Sequence, residues 1–258
     1  MKAGYIQFDV KHSKEENLRL IEKYLSKSHC ELAVLPELCT CGYLFESRED
    51  LEKVAETVPH GQTIAAMIEM SEKYSCTIVF GIAEKDDGRI YNTAVIASEG
   101  KYIGKYRKIH LSDFEKTLFD SGNSNCVFEA QGIKIGIQIC FDLWFPEISR
   151  EQIRQGADIL CVLANFGGET TYSIAKTRAT ENLTPLILSN RIGEEKLPNI
   201  DAFFLGKSSI IDASGKRLSI GKAETETSDF CNIEIRKEKS NVICRNFNEE
   251  IEFHYKSK

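Results

Sequence analysis

Three short segments each place a group capable of chemistry just beyond a β-like apolar run. They are Leu35-Pro36-Glu37, Tyr106-Arg107-Lys108-Ile109-His110-Leu111 and Gly136-Ile137-Gln138-Ile139-Cys140-Phe141-Asp142. Loops at strand ends present side chains from a rigid scaffold, so these positions suit a site. The three groups are a carboxylate, an amine and a thiol, the set that thiol-based amide hydrolysis requires. A resonance-stabilised carbonyl needs a strong nucleophile, a base to generate it, an acid for the departing amine, and positive charge where the oxyanion develops. On this reading Cys140 is the nucleophile and Glu37 carries the proton. Lys108 binds the oxyanion together with the backbone N–H of Phe141. Adjacent positive charge and a following helix would favour the Cys140 thiolate.

The elements that must position these groups follow a strand-then-helix order. Residues 2–10 alternate as a strand, Ser13-Lys14-Glu15-Glu16 reads as a capping box, and Leu18, Ile21 and Leu25 then recur at helical spacing. Leu32–Leu35 is a short buried strand that ends at Glu37. A helix over Thr63–Tyr74 precedes a strand at Thr77–Ala83, and Asp86-Asp87-Gly88 turns the chain into a strand at Tyr91–Ala97. A further strand from Gly100 delivers Lys108. Ile133–Ile139 delivers Cys140, and a helix starts near Pro146, a favourable first-turn position for proline. Strands are predicted at Ile159–Leu163, Pro185–Ser189, Ser208–Ile211 and Phe230–Ile235, with a helix at Ser173–Asn182. This mixture of hairpins and crossovers gives a layered α/β architecture.

The chemistry-bearing segments are spread so widely that no cut leaves a self-contained half, so residues 1–258 are read as one domain. Hydrophobic residues make up 42% and charged residues 28%, enough apolar content for a sizeable core. A net charge of -6 argues against a nucleic-acid partner, which needs a basic face. The basic cluster Lys101–Lys108 has a period of two and reads as a strand edge. No signal-peptide core opens the chain and no run approaches the ~18 apolar residues of a membrane span, so a cytoplasmic, membrane-free protein is expected. The nine cysteines are odd in number and fit a reducing compartment rather than a disulfide framework. Cys39-Thr40-Cys41 lacks metal-ligand spacing, so neither a metal nor another cofactor is expected.

In order and flanking residues the three segments resemble the nitrilase superfamily of carbon–nitrogen hydrolases. The resemblance continues through Phe145-Pro146-Glu147, Arg178-Ala179-Thr180-Glu181-Asn182 and Asn190-Arg191-Ile192-Gly193, and so covers nearly the whole chain. It implies a four-layer αββα sandwich, and it adds Glu115 as a second glutamate that orients the lysine and the substrate. Two carboxylates in one pocket repel, so one of them should have a raised pKa. His110 is read as a tether for its loop, and Arg178, Glu181 and Asn182 as support behind the site. Cys30, Cys76, Cys126, Cys161 and Cys231 are read as small apolar core residues. Relatives associate into larger layered dimers, which implies a homodimer or higher homo-oligomer. Asn241–Tyr255 either reaches across to a partner or forms an edge strand plus tail.

Departures from the family pattern bear on the substrate. Trp144 stands where many relatives carry an arginine, which removes a carboxylate clamp. Asn165-Phe166-Gly167-Gly168 replaces the common Asn-Trp-Pro, and its glycines could let backbone approach a ligand. Phe141, Trp144, Asn165 and Phe166 are therefore the candidate substrate-binding residues. Nitrile-cleaving relatives usually have a glutamate where this chain has Asp142. The expected substrates are a small primary amide or N-carbamoyl amine and water. Nitrilase or ω-amidase specificity on the same site, or a non-catalytic binding member of the fold, are the alternatives. A Cys/His hydrolase is disfavoured because no signature places a histidine beside Cys140.

Overall fold

The computed structural model describes residues 1–256. In chain order the strands are β1 (Lys2–Gln7), β2 (Leu32–Val34), β3 (Thr77–Asp86), β4 (Arg89–Ser98), β5 (Lys101–Arg107), β6 (Val127–Ala130), β7 (Ile133–Ile139), β8 (Ile159–Ala164), β9 (Leu186–Asn190), β10 (Ile192–Leu197), β11 (Ile200–Leu205), β12 (Ser209–Ile211), β13 (Arg217–Ile220) and β14 (Thr227–Asn232). The helices are α1 (Lys14–Ser28), α2 (Arg48–Val54), α3 (Gln62–Lys73), α4 (Pro146–Arg154), α5 (Thr170–Glu181) and α6 (Phe247–Lys256).

Two six-stranded sheets form the centre, in the orders β14-β1-β2-β3-β4-β5 and β13-β12-β9-β8-β7-β6, and β10-β11 is a separate hairpin. Parallel pairing joins β1 to β2 and β2 to β3 in the first sheet, and β7 to β8 and β8 to β9 in the second. Parallel strands need covering on both faces, which explains their near-continuous apolar runs. Val34, Val79, Ile96 and Tyr106 of one sheet meet Ile137, Ile139, Leu163 and Ile187 of the other in a buried apolar central layer. Outside the first sheet, Ile21 and Leu25 of α1 and Ile64 and Met67 of α3 pack on Ile6, Phe8 and Phe80. Ile153 of α4 and Ala175 and Ala179 of α5 cover Leu160, Val162 and Leu188 of the second sheet. The result is the αββα sandwich. Among the described residues no helix is long and apolar enough to cross a membrane.

Several boundaries differ from the sequence reading, each for a physical reason. β1 stops at Gln7 rather than at residue 10, because beyond it Asp9 turns to bridge Ile192 and meet Arg191. The last strand lies at Thr227–Asn232 rather than Phe230–Ile235, set by pairing in which Gly4 faces Phe230. Residues 247–256 form α6 instead of an edge strand: Phe247 and Ile251, four apart, face the layer of α4 and α5. Arg154 of α4 bonds Glu252 at 2.9 Å and lies over the Tyr255 ring. The hairpin β10-β11 escapes pattern reading because Gly193, Glu194, Glu195 and Lys196 supply almost no apolar alternation. Gly167 packs closely on this hairpin, since a Cβ there would sit 2.3 Å from the Phe203 carbonyl oxygen.

Glu37, Lys108 and Cys140 leave the C-terminal ends of β2, β5 and β7, so both sheets contribute to one end of the sandwich. At that end β3 passes very close to the Glu37 loop. A Cβ on Gly81 would lie 2.5 Å from the Leu38 nitrogen and 2.9 Å from the Glu37 Cα, both backbone atoms that cannot swing aside. Gly81→Ala is therefore expected to cost about 1–3 kcal/mol of stability by overpacking, and to displace Glu37 as well. Urea unfolding checks the first effect; a midpoint equal to that of the unmodified chain would show that the loop yields freely.

Candidate active site

The chain has buried an ammonium between two carboxylates. Lys108 Nζ donates to Glu37 Oε1 at 2.7 Å and to Glu115 Oε1 at 2.5 Å, and all three side chains are essentially inaccessible to solvent. Asn92 of β4 donates to the same two oxygens, at 2.6 Å to Glu37 and 3.2 Å to Glu115. Its own carbonyl accepts the Lys108 backbone N–H at 2.9 Å, which fixes the lysine's exit from β5. Glu115 lies on a short 3-10 turn, where its other oxygen accepts the Ser112 N–H at 2.9 Å. Glu37 Oε2 has no hydrogen-bond partner among the described residues.

These surroundings divide the two carboxylates electrostatically. Burial drives the Glu37 pKa up to about 7, with Lys108 opposing the rise and Glu115 adding to it. Burial also works against ionised Glu115, but Lys108 and the Ser112 hydrogen bonds outweigh it and hold the carboxyl below its ordinary range. For Lys108, burial favours the neutral amine, yet the charges of Glu37 and Glu115 prevail and keep the ammonium protonated. One carboxyl thus titrates near neutrality while the other is held ionised.

Cys140 follows β7 with a left-handed φ of 47°, a costly conformation for a residue with a side chain. The turn is held by Asp142, which is fully buried. Its carboxylate accepts the Tyr106 hydroxyl at 2.8 Å, the His110 N–H at 2.8 Å and the Ile139 N–H at 3.1 Å. Because Tyr106 and His110 flank Lys108, Asp142 ties the thiol turn to the lysine segment. The His110 ring completes the tie by stacking on Phe145 at 3.6 Å. Behind the turn, Arg178 donates to the carbonyls of Leu143 at 2.9 Å and Trp144 at 3.2 Å, and pairs with Glu181 at 2.9 Å. Asn182 instead bonds back to the Arg178 carbonyl and so caps its own helix.

The structure corrects the expectation of a resting thiolate. Burial raises the Cys140 pKa well above its usual value, the Glu37 charge raises it further, and Lys108 with the Asn165 N–H only partly offsets them. These surroundings therefore favour the neutral thiol.

Among the candidate substrate contacts, Phe141 is tilted against Trp144 at 6.3 Å and meets Phe145 edge-on at 5.2 Å. Trp144 is half exposed. Asn165 is buried with both amide atoms unpaired among the described residues, beside the thiol that its N–H reaches. Phe166 packs edge-on to Tyr172 at 5.3 Å, in the layer beneath α5.

Sequence reasoning missed Asn92 and Tyr43. Asn92 gave no signal beyond being a polar residue within an apolar strand. The Tyr43 phenol lies among Glu115, Lys108, Glu37 and Cys140, and burial pushes its pKa upward first of all. Its loop is pinned by Glu195 of β10, which accepts the N–H groups of Tyr43 at 2.9 Å and Leu44 at 2.6 Å. Arg191, fully buried over the Phe204 ring, pairs with that carboxylate. The Asn190-Arg191 segment was legible as a motif, but its partner Glu195 was not.

Comparison with known proteins agrees with this geometry. The family described as carbon-nitrogen hydrolase matches residues 2–237. The chain is 37% identical to a nitrilase of Pyrococcus abyssi over 88% of its length and 86% of the relative's. It is 32% identical to a 2-oxoglutaramate amidase of Bacillus subtilis, covering 85% of each chain, and 31% identical to an N-carbamoylputrescine amidase of Arabidopsis thaliana, covering 74% and 70%. In fold it matches a carbon-nitrogen hydrolase of Helicobacter pylori with a TM-score of 0.84 at 23% identity, over 99% and 93% of the two chains. The chain belongs to the carbon–nitrogen hydrolase family, within the nitrilase superfamily. It is accordingly a carbon–nitrogen hydrolase.

The raised Glu37 pKa sets a pH dependence. A carboxyl that must be ionised to accept a proton is inactive below its pKa, so kcat/KM should rise with pH through an apparent value near 7. The value belongs to the coupled Glu37–Lys108–Glu115 group rather than to one residue. A pH–rate profile already flat at pH 5 would rule out this assignment of the base.

Proposed function

We propose that this enzyme hydrolyses a small primary amide or N-carbamoyl amine through a thioester on Cys140. The observation that carries the reading is the buried Glu37–Lys108–Glu115 cluster beside a thiol held on a left-handed turn. Glu37 takes the Cys140 proton as sulfur attacks the carbonyl, forming the C–S bond and moving the π electrons onto oxygen. Lys108 and the Phe141 N–H hold that oxyanion. As the carbonyl re-forms, the C–N bond breaks and Glu37 delivers its proton to the departing ammonia or amine. Glu37 then deprotonates a water that attacks the thioester, and the thiol is restored with release of the acid, or of carbamate from a carbamoyl substrate. Glu115 stays ionised throughout and holds Lys108 in place.

Substrate class is inferred from the wall of the site. Trp144 supplies an apolar face where an arginine would bind a carboxylate, and Phe141 and Asn165 complete the contact surface. The relative named N-carbamoylputrescine amidase is consistent with a carbamoyl amine. The relatives named nitrilase and 2-oxoglutaramate amidase mark the competing specificities. An ammonia-release screen over primary amides, N-carbamoyl amines, N-carbamoyl amino acids, ω-amides and nitriles separates them. Primary amides or carbamoyl amines are expected to lead; preference for nitriles would overturn the amidase reading, and preference for ω-amido acids would reveal an overlooked carboxylate contact.

Cys140→Ala should lose turnover by a factor on the order of 10⁶, with far-UV circular dichroism unchanged. Removing the Lys108 donor should cost at least about 2.7–4 kcal/mol of transition-state stabilisation. Wild-type-like rates in Cys140→Ala would end the thioester mechanism. We further infer a homodimer or higher assembly, supported by the apolar side chains Phe253 and Tyr255 exposed on α6. Sedimentation showing only a 29.2 kDa species at micromolar concentration would remove that inference.

A further inference from the structure

Two thiols outside the site form a pair that the hydrolase chemistry does not use. Cys30 Sγ and Cys76 Sγ lie 3.1 Å apart, both buried. Cys30 follows α1 and precedes β2, while Cys76 follows α3 and precedes β3. Each comes directly after a left-handed residue, His29 with φ 44° and Ser75 with φ 49°, so both cysteines sit in tight turns. The backbone between them is locked, because the Glu31 N–H bonds the Lys2 carbonyl at 2.8 Å and the Thr77 N–H bonds the Glu31 carbonyl at 2.9 Å. In the parallel register Leu32 faces Thr77, which puts Cys76 one residue and Cys30 two residues before the ladder, diagonal to each other. A disulfide needs sulfurs about 2.05 Å apart. Closure therefore asks the two sulfurs to approach by about 1 Å.

We propose that Cys30 and Cys76 are a disulfide-forming dithiol, a modification site separate from the Glu37–Lys108–Cys140 cluster that takes a two-electron oxidant of the peroxide class. The Cys30 sulfur attacks one peroxide oxygen, the O–O bond breaks, and a sulfenic acid forms with release of water. The Cys76 sulfur then attacks the sulfenic sulfur, and the S–O bond breaks as the hydroxyl leaves with the Cys76 proton as a second water. Two thiols are oxidised and one peroxide is reduced. Cys30 is drawn as the first to react because the Cys76 sulfur lies 3.1 Å and the Ser28 hydroxyl 3.2 Å from its own sulfur, contacts that lower its pKa against the cost of burial. Lys2 Nζ sits on the Ser28 carbonyl at 2.8 Å, two residues from the thiol. The bond would close a loop over residues 30–76 that contains Glu37 and Tyr43, and so restrain the unfolded chain through the segment that shapes the site.

The test is mass mapping of the whole chain after brief hydrogen peroxide treatment, blocking of remaining thiols with N-ethylmaleimide, and digestion without reduction. A Cys30–Cys76 cross-linked peptide that has lost two hydrogens is expected, together with a melting temperature raised by several degrees and restored by dithiothreitol. Cys30→Ser and Cys76→Ser should each lack the cross-link and the shift. Because the wild-type map stands alone, a variant that folds poorly does not obscure the result. Finding Cys30 and Cys76 both capped by maleimide on denaturation, or oxidised to sulfinic acid without a cross-link, would overturn the proposal.

Discussion

Lys108 is the constraint on which the site depends. An ammonium removed from water loses several kcal/mol of solvation, and such a group persists inside a protein only when paired and hydrogen-bonded. Here two carboxylates compensate one cation, which leaves an excess of negative charge in a low-dielectric space. Burial lifts Glu37 to about 7, with the Glu115 charge adding to the rise, while Glu115, better supplied with hydrogen bonds, remains ionised. Asn92, bonded to both oxygens, fixes how the charge is shared. The same arrangement that makes the lysine tolerable leaves one glutamate with a pKa near neutrality.

The two sheets exist, from the site's point of view, to bring that cluster to the thiol. Glu37 and Lys108 belong to one sheet and Cys140 to the other, so their approach depends on the apolar layer between Val34, Val79 and Tyr106 on one side and Ile137, Ile139 and Leu163 on the other. Tyr106 spans the layer, with its ring in the core and its hydroxyl on Asp142. Asp142 then holds both the Cys140 turn and the His110 N–H beside Lys108. A single buried carboxylate therefore registers one sheet against the other at the point where the chemistry is proposed to occur.

What could be read from the sequence was whatever is local or repeated. The apolar runs ending at Glu37, Lys108 and Cys140 announced strands, and Leu18, Ile21 and Leu25 announced α1, because burial of one face imposes a period. The layered class followed from element order, and the two-sheet sandwich from the family likeness. Features set by distant partners stayed hidden. Asn92 looks like any polar strand residue until Glu37 and Glu115 converge on it. Glu195 occupies a polar hairpin with no periodicity, and its meaning lies in the N–H groups of Tyr43 and Leu44, far away in sequence. Only the family likeness suggested a pairing of Glu115 with Lys108, and the division of charge between Glu115 and Glu37 needs both in place. The turn at Cys140 was visible as a motif, but its left-handed φ was not.

The protonation states also explain why the thiol can rest neutral and still serve as the proposed nucleophile. Burial raises the Cys140 pKa first of all, and the charges of Glu37 and Glu115 add to the rise, since a permanent thiolate would be a third negative charge in a buried cluster with one cation. Transfer of the thiol proton to Glu37 moves negative charge from the carboxylate to sulfur without adding any. When sulfur attacks a carbonyl, the charge passes on to the oxygen beside Lys108. The total charge of the cluster is thus constant along the proposed path, and only its position changes. In a low-dielectric site a step that relocates charge toward a fixed cation is far easier than one that creates charge. Neutral thiol, near-neutral glutamate and permanently protonated lysine are therefore one design, each state dictated by the burial of the other two.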